Sequence, residues 1–319
     1  MASVSPTSSK KRITVVSPVY NESDTLPDFY KRVSGVMNAA DVSWRMLFVD
    51  DGSTDDSLSV IRKLREQDDS VGYIALSRNF GHQAAITAGL SHATGDAVII
   101  MDSDLQDEPE AIPQFLAEWE QGAEVVYAIR EKRKESPFKV MLFSAFYRIQ
   151  RLMVNLDMPL DAGVFCLLDQ QVVKEMVKLQ ERNRYLPGLR SFCGFTQKGI
   201  YVERAKRFSG KPRVSFWRLI QLATDGIFAY STLPLRLILL LGLIVAFLSF
   251  MIGCVGIIVK YVFGHTFLNW PFGLTTILFF GGFNMVCMGL IGEYVGRIYE
   301  EVKARPIYIN RQIETTPWE

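Results

Sequence analysis

Between Ile13 and about Gln197, short β-branched runs alternate with stretches whose apolar positions recur at helical spacing. The runs ITVVSPV (13–19), WRMLFVD (44–50), VGYIAL (71–76), DAVIIMD (96–102) and EVVYAI (124–129) predict strands. The segments between them predict helices over about 24–39, 56–66, 82–93 and 109–121, with Ser23 or Asp24 and Asp55 available as caps. This alternation predicts an α/β domain with a mostly parallel sheet. Each strand ends in polar or Gly-, Asn- and Asp-rich residues, where an open α/β sheet places its ligand loops.

Farther along, the pattern changes. Leu237 to Val259 is 23 residues without an Asp, Glu, Lys or Arg, and Thr266 to Gly292 is another 27. At ~1.5 Å per helical residue each can cross a hydrocarbon core of ~30 Å, which argues against a purely soluble protein. The connector Lys260–Pro271 has one basic residue and the Tyr, Trp and Pro of an interfacial turn, so spans over 235–263 and 266–292 are expected to form a hairpin. Arg297, Lys303, Arg305 and Arg311 in the 293–319 tail, with the basic residues upstream of the spans, place both termini on the cytoplasmic side of an inner membrane. Two more segments are amphipathic. Residues 138–156 carry an apolar stripe flanked by Lys139, Arg148 and Arg151, and 215–234 run directly into the first span. Both are expected at the membrane surface, the competing reading for 138–156 being an ordinary core-facing helix. The predicted organisation is a disordered tail over 1–11, an α/β domain over 12–214, the juxtamembrane helix over 215–234, the hairpin, and the cytoplasmic tail.

Composition conceals this division. The 319 residues are 49% hydrophobic and 22% charged, values of an ordinary globular chain. With 35 basic against 34 acidic residues the net charge is +1, and nucleic acid is not an expected partner. Cys166, Cys193, Cys254 and Cys287 are scattered without a CxxC pair, so neither a disulfide framework nor a zinc site is readable and a reducing compartment fits. The apolar stretch 13–19 is too short for the core of a signal peptide.

The chemistry concentrates after the strands. In MDSDLQDEPE, Asp102 and Asp104 are separated by one residue at a strand's C-terminal end, where two carboxylates can share a hard divalent cation. Mg²⁺ or Mn²⁺ held there would take diphosphate oxygens as further ligands. Acidic residues capping a helix at Pro109 would produce the same letters. Three neighbouring loops add groups suited to a nucleoside: Ser17–Glu22, Val49–Asp55 and Ser77–His82, with Gly52 and Gly81 allowing tight turns. Helix capping explains Gly52, Ser53 and Asp55; it explains Asn21-Glu22 and Asp50-Asp51 less well.

PVYNE, VDDGSTD, SRNFGHQAA and DSDLQD, in this order, resemble the family 2 inverting glycosyltransferases of GT-A fold. The likeness is specifically to the polyprenyl-phosphate enzymes, which include bactoprenol glucosyltransferases and dolichol-phosphate mannose synthase. The resemblance covers about residues 12–235 and extends to the two-span tail of the bactoprenol enzymes. It implies transfer of a sugar, glucose from UDP-glucose as the first expectation, from a nucleotide sugar to a membrane polyprenyl (undecaprenyl) phosphate. By this likeness Pro18, Tyr20, Asn21, Glu22, Asp50, Asp51, Arg78 and Asn79 line the nucleotide pocket, and Asp102, Asp104 and Gln106 hold the metal and donor diphosphate. Asp161 in DAGVFC matches the family's D-x-G-[DS]-F-R in part, departing at Val164 and Cys166. Asp161 is the expected acceptor-side carboxylate, with Asp157 the substitute. The segment Glu203–Arg213 resembles the family's basic loop, departing at Pro212, Arg213 and Val214. Arg204 and Arg207 are expected to clamp the diphosphate, Arg130 being a weaker candidate for the same work, while Lys211 and Arg213 attract the lipid phosphate. The lipid bilayer is a partner on this reading. Gly281, Gly282, Gly289 and Gly292 permit close helix approach, so a homo-oligomer is expected. Two other readings compete: a processive polysaccharide synthase, which would carry a QxxRW motif and more spans than this chain has, and a membrane-anchored nucleotide-binding scaffold without turnover.

Overall fold

The computed structural model describes residues 10–130, 162–182, 184–202, 233–264, 270–316 and 318. The expected surface helix 138–156 and juxtamembrane segment before 233 lie outside the described residues. Two compact units emerge, one holding the sheet together with residues 305–319, the other holding the two apolar helices.

In the first unit the order is β1 (Lys11–Val19), α1 (Leu26–Ala39), β2 (Val42–Asp50), α2 (Ser57–Gln67), β3 (Val71–Leu76), α3 (His82–His92) and β4 (Ala97–Ile100). A 3-10 turn (Pro109–Ala111) leads into α4 (Ile112–Glu120) and β5 (Val125–Arg130). Then come β6 (Ala162–Asp169), α5 (Gln170–Lys178), α6 (Leu186–Phe192) and β7 (Gln197–Val202). The eight-stranded sheet has the order β7-β5-β6-β4-β1-β2-β3-β8, its last strand, β8 (Asn310–Glu314), coming from the C-terminal region. β1 pairs in parallel with β2 and β4, β2 with β3, and β5 with β7; β6 runs antiparallel between β4 and β5. The fold is of GT-A type, a mostly parallel α/β sheet. Because the chain steps outward from β1 to β3 and returns to β4 on the other side of β1, the switch point lies between β1 and β4, and a crevice opens at their C-terminal ends.

Period-two packing builds two cores. Ile13, Val15, Ala97, Ile99, Phe165 and Leu167 face α1 and α4, while Val16, Val98, Ile100, Cys166 and Leu168 face α3, α5 and α6. α3 lies close on β1 and β2 because Gly89 leaves room for Val16: a Cβ there would come within 2.3 Å of a Val16 methyl. Ser23 and Asp24 do not cap α1; Asp55 does act near α2, accepting from the Ser57 N–H at 3.0 Å.

The second unit contains α7 (Leu233–Phe263) and α8 (Trp270–Val302). Within them Leu237–Val262 and Thr276–Val302 are long and apolar enough to cross a membrane, with mean hydropathy 2.8 and 1.5. Leu239, Phe250 and Ile277 are about two-thirds exposed, so among the described residues this apolar surface has no protein cover. α8 continues ten residues past the uncharged stretch, its Arg297 paired with Glu293 at 2.9 Å.

β8 was not expected. It pairs antiparallel with β3 from Tyr73↔Glu314 to Leu76↔Asn310. The Tyr73 hydroxyl donates to Glu314 at 2.9 Å, the Gln312 amide donates to the Tyr73 oxygen at 2.8 Å, and Arg62 donates to Gln312 at 2.7 Å. Beyond it, Trp318 donates its indole N–H to the Thr94 carbonyl at 3.0 Å and lies under the Arg45 guanidinium, 4.4 Å from the ring centre. The strand covers what would otherwise be an open sheet edge. Removing residues 307–319 is therefore expected to lower the melting temperature of the purified chain by 5 °C or more, at about 2–4 °C per kcal/mol lost, and to promote aggregation. An unchanged melting curve would show the strand to be dispensable.

Candidate active site

Four loops meet above the C-terminal ends of β3, β2, β1 and β4, and hydrogen bonds between them set their shape. After β1, Asn21 adopts a left-handed conformation (φ 54). Its N–H donates to Ser53 Oγ at 3.1 Å, and its side-chain oxygen accepts from the Thr54 N–H at 2.8 Å. Glu22 N–H donates to Ser57 Oγ at 2.9 Å and Ser23 N–H to Asp55 at 3.2 Å. The loop after β4 is tied to the same place: Ser103 Oγ donates to the Pro18 carbonyl at 3.1 Å, and Thr25 Oγ1 donates to the Ser103 carbonyl at 3.2 Å and to Glu22 Oε2 at 3.2 Å.

The two adjacent aspartates after β2 differ in use. Asp50 is buried at the strand end and accepts from the Ser53 N–H at 3.2 Å. Asp51, also buried, binds the next loop with both oxygens: Phe80 N–H donates to Oδ1 at 2.7 Å and Gly81 N–H to Oδ2 at 2.9 Å. Its own N–H donates to the Val19 carbonyl at 2.8 Å. Burial raises both carboxyl pKa values above the ordinary range; Ser53 partly offsets this at Asp50, and the Phe80 and Gly81 amides do so at Asp51. Gly52 (φ 66) is required between Asp51 and Ser53, since a Cβ there would lie 2.4 Å from the Arg78 carbonyl carbon.

Across the crevice, His82 Nε2 is 2.8 Å from Asp102 Oδ1. Burial lowers the His82 pKa, but the hydrogen bond to Asp102 and the charges of Asp102, Asp51 and Asp104 outweigh it, and the net shift is upward. Gln106 N–H donates to Asp104 at 3.1 Å, with Leu105 between them at φ 57, a conformation that costs about 1–3 kcal/mol. Arg78 stacks over Phe80 at 4.2 Å from the ring centre, and both it and Asn79 are exposed.

The structure thus brings Pro18, Tyr20, Asn21, Glu22, Asp50, Asp51, Arg78, Asn79, Asp102, Asp104 and Gln106 to one edge of the sheet. Arg130 ends β5, which runs in the direction of β4, so it reaches that edge two strands beyond β4. Asp157, Asp161, Arg204, Arg207, Lys211 and Arg213 lie outside the described residues. Among the described residues no three His, Cys, Asp or Glu side chains converge as a metal-holding group. Asp102, Asp104 and Gln106 offer hard oxygen donors short of a full shell, which fits an ion that keeps waters and takes substrate phosphates. His82 stands in the SRNFGHQAA motif; its sequence signal is a ring-bearing polar residue directly after the turn glycine of a ligand loop.

The glycosyl transferase family 2 model matches residues 14–177. A prophage bactoprenol glucosyl transferase homolog of Escherichia coli is 36% identical over 304 residues, covering 95% of this chain and 99% of its own. The SfII prophage-derived bactoprenol glucosyl transferase of Shigella flexneri is 38% identical over 299 residues, covering 93% and 97%. An undecaprenyl-phosphate 4-deoxy-4-formamido-L-arabinose transferase of Salmonella dublin is 35% identical over 321 residues, covering 97% and 96%.

The difference between the two aspartates can be measured. Asp51→Asn turns an NH₂ group toward a backbone N–H and is expected to cost about 1–3 kcal/mol, a fall of several degrees in melting temperature. Asp50→Asn keeps an oxygen for Ser53 and has no charge to bury, so its melting temperature is expected to equal or exceed that of the parent. Since the folded-state pKa of Asp50 is raised, its ionisation costs stability as pH rises through that value; the gap between Asp50→Asn and parent should widen from acid to neutral pH. Equal losses from the two substitutions would refute the assignment.

Proposed function

The chain belongs to glycosyl transferase family 2, and from that premise we propose that it moves glucose from UDP-glucose onto polyprenyl (undecaprenyl) phosphate at the cytoplasmic face of the membrane. One observation carries the proposal: a crevice lined by carboxylate and amide side chains and two helices of membrane length belong to a single chain. A soluble donor and a lipid acceptor account for both. The relatives named for bactoprenol and undecaprenyl phosphate match over nearly their full length and support the same acceptor.

For the described residues the proposed roles follow position at the sheet edge; for Asp161, Arg204, Arg207, Lys211 and Arg213 they follow the family likeness. Asp50, with Tyr20 and Glu22 beside it, accepts hydrogen bonds from the nucleoside, and Asp51 builds the floor under the Phe80–Gly81 turn. Asp102, Asp104 and Gln106 would hold Mg²⁺ or Mn²⁺, which when bound neutralises charge on the departing diphosphate. Arg204 and Arg207 clamp that diphosphate, Arg130 assists from the end of β5, and Lys211 and Arg213 draw in the lipid phosphate. An oxygen of the lipid phosphate attacks the anomeric carbon, and the bond from that carbon to the diphosphate oxygen breaks. The nucleoside diphosphate leaves with the electron pair, and configuration inverts. A phosphate monoester with a second pKa of about 6 is already largely dianionic, so Asp161 orients the acceptor rather than deprotonating it. β6 begins at the next residue, Ala162, paired with Ile129 at the catalytic edge.

Purified enzyme given a panel of nucleotide sugars and undecaprenyl phosphate is expected to yield an organic-extractable hexosyl lipid, with glucose from UDP-glucose, read by mass spectrometry. Nucleotide binding without a sugar lipid from any donor would leave the scaffold reading standing. Asp104→Asn is expected to lower turnover at least ~100-fold while leaving the fold intact. Asp161→Asn should still bind donor yet lose transfer; if only Asp157→Asn behaves so, the acceptor-side role moves to Asp157.

A further inference from the structure

His82 lies in the crevice and takes none of the roles assigned above. It is the first residue of α3, directly after Gly81 at φ 100. The two amides before it, of Phe80 and Gly81, are both held by Asp51, whose own N–H is bonded to the end of β1. The imidazole therefore starts from a point fixed to β1 and β2 through the backbone. From there Nε2 reaches Asp102 Oδ1, on the loop after β4, at 2.8 Å. Nε2 carries the hydrogen in this contact, since an ionised carboxylate only accepts.

We propose that His82 is a positioning residue for cation binding: its Nε2–H fixes the rotation of the Asp102 carboxylate so that Asp102 and Asp104 present oxygens to one divalent ion. The inference rests on the proposed reading of these residues as the metal site. Carboxylates that ligate metals are themselves oriented by hydrogen bonds, and loss of such a partner typically weakens metal binding about 10–100-fold. Orientation matters more here than in a closed site, because among the described residues no three-ligand cluster exists to hold the ion by number alone. With few protein ligands, the angle of each carboxylate decides whether the ion and the diphosphate are bound together. A rigid ring with one N–H in line suits this task; a lysine would bring three rotatable donors and no fixed direction.

The test is Mn²⁺ titration of the full-length enzyme in detergent, with UDP present, followed by electron paramagnetic resonance. His82→Ala is expected to weaken Mn²⁺ about 10–100-fold while leaving metal-free UDP binding unchanged. His82→Gln, whose amide N–H reaches a similar point, should restore most of the affinity, and Asp102→Asn should lack it. Pulsed measurements on the parent should show no nitrogen directly bound to Mn²⁺. Equal Mn²⁺ affinity in His82→Ala and the parent overturns the proposal, as does an imidazole nitrogen in the ion's coordination shell, which would make His82 a ligand. A failure of His82→Gln to restore affinity in a variant with parental melting temperature also counts against it. If the parent takes up no Mn²⁺ even with UDP, the metal reading of Asp102 and Asp104 falls and the inference falls with it.

Discussion

The buried Asp51 carboxylate is the contact on which the crevice depends. An isolated buried carboxylate is costly, and the Phe80 and Gly81 amides that offset the cost are the two that shape the loop after β3. Satisfying one charge therefore fixes a turn. The turn aims His82 across to Asp102, while the Asp51 N–H joins the same assembly to the end of β1. Loops from three strands are thereby positioned by one side chain that need not touch substrate itself. The neighbouring Asp50 is buried too and its ionised form is likewise disfavoured, but its donors come from its own turn, Ser53 foremost, and not from the next loop.

Much of the parallel half of the sheet was legible in the sequence because strands buried on both faces must be written in β-branched and apolar residues. β1, β2, β3 and β5 fall within a residue or two of the expected runs, and β4 is shorter than its run. The elements that escaped are those whose letters answer to another constraint. β6 (AGVFCLLD) overlaps the DAGVFC motif, whose letters point to an acceptor-side carboxylate, and it is the antiparallel strand between β4 and β5. α6 has no counterpart among the expected helices; Pro187 sits in its first turn, where proline is tolerated, and burial of Leu186 and Leu189 holds the helix despite Gly188. β8 is NRQIE, polar because it forms a sheet edge, and no apolar run marks it.

At the site, residue identity was readable and residue role was not. Asp50 and Asp51 are identical letters side by side, and only the direction of their side chains separates the ligand-facing candidate from the loop brace. The same holds for Asn21: its amide oxygen is engaged by Thr54, so it shapes the pocket by bridging two loops. Near-zero net charge likewise hid its parts, an acidic crevice and a basic segment, because a sum carries no information about position.

The strand β8 also sets an order of events during synthesis. Tyr73 meets Glu314 across 241 positions of sequence, and both apolar helices lie in between. At about 5–20 residues per second the ribosome needs roughly ten to fifty seconds to travel from β3 to its partner. Through that interval the β3 edge waits for this partner while α7 and α8 are being made. The sheet is closed last, after both apolar helices have been made, so a chain that stalls within them is also one whose sheet is still incomplete.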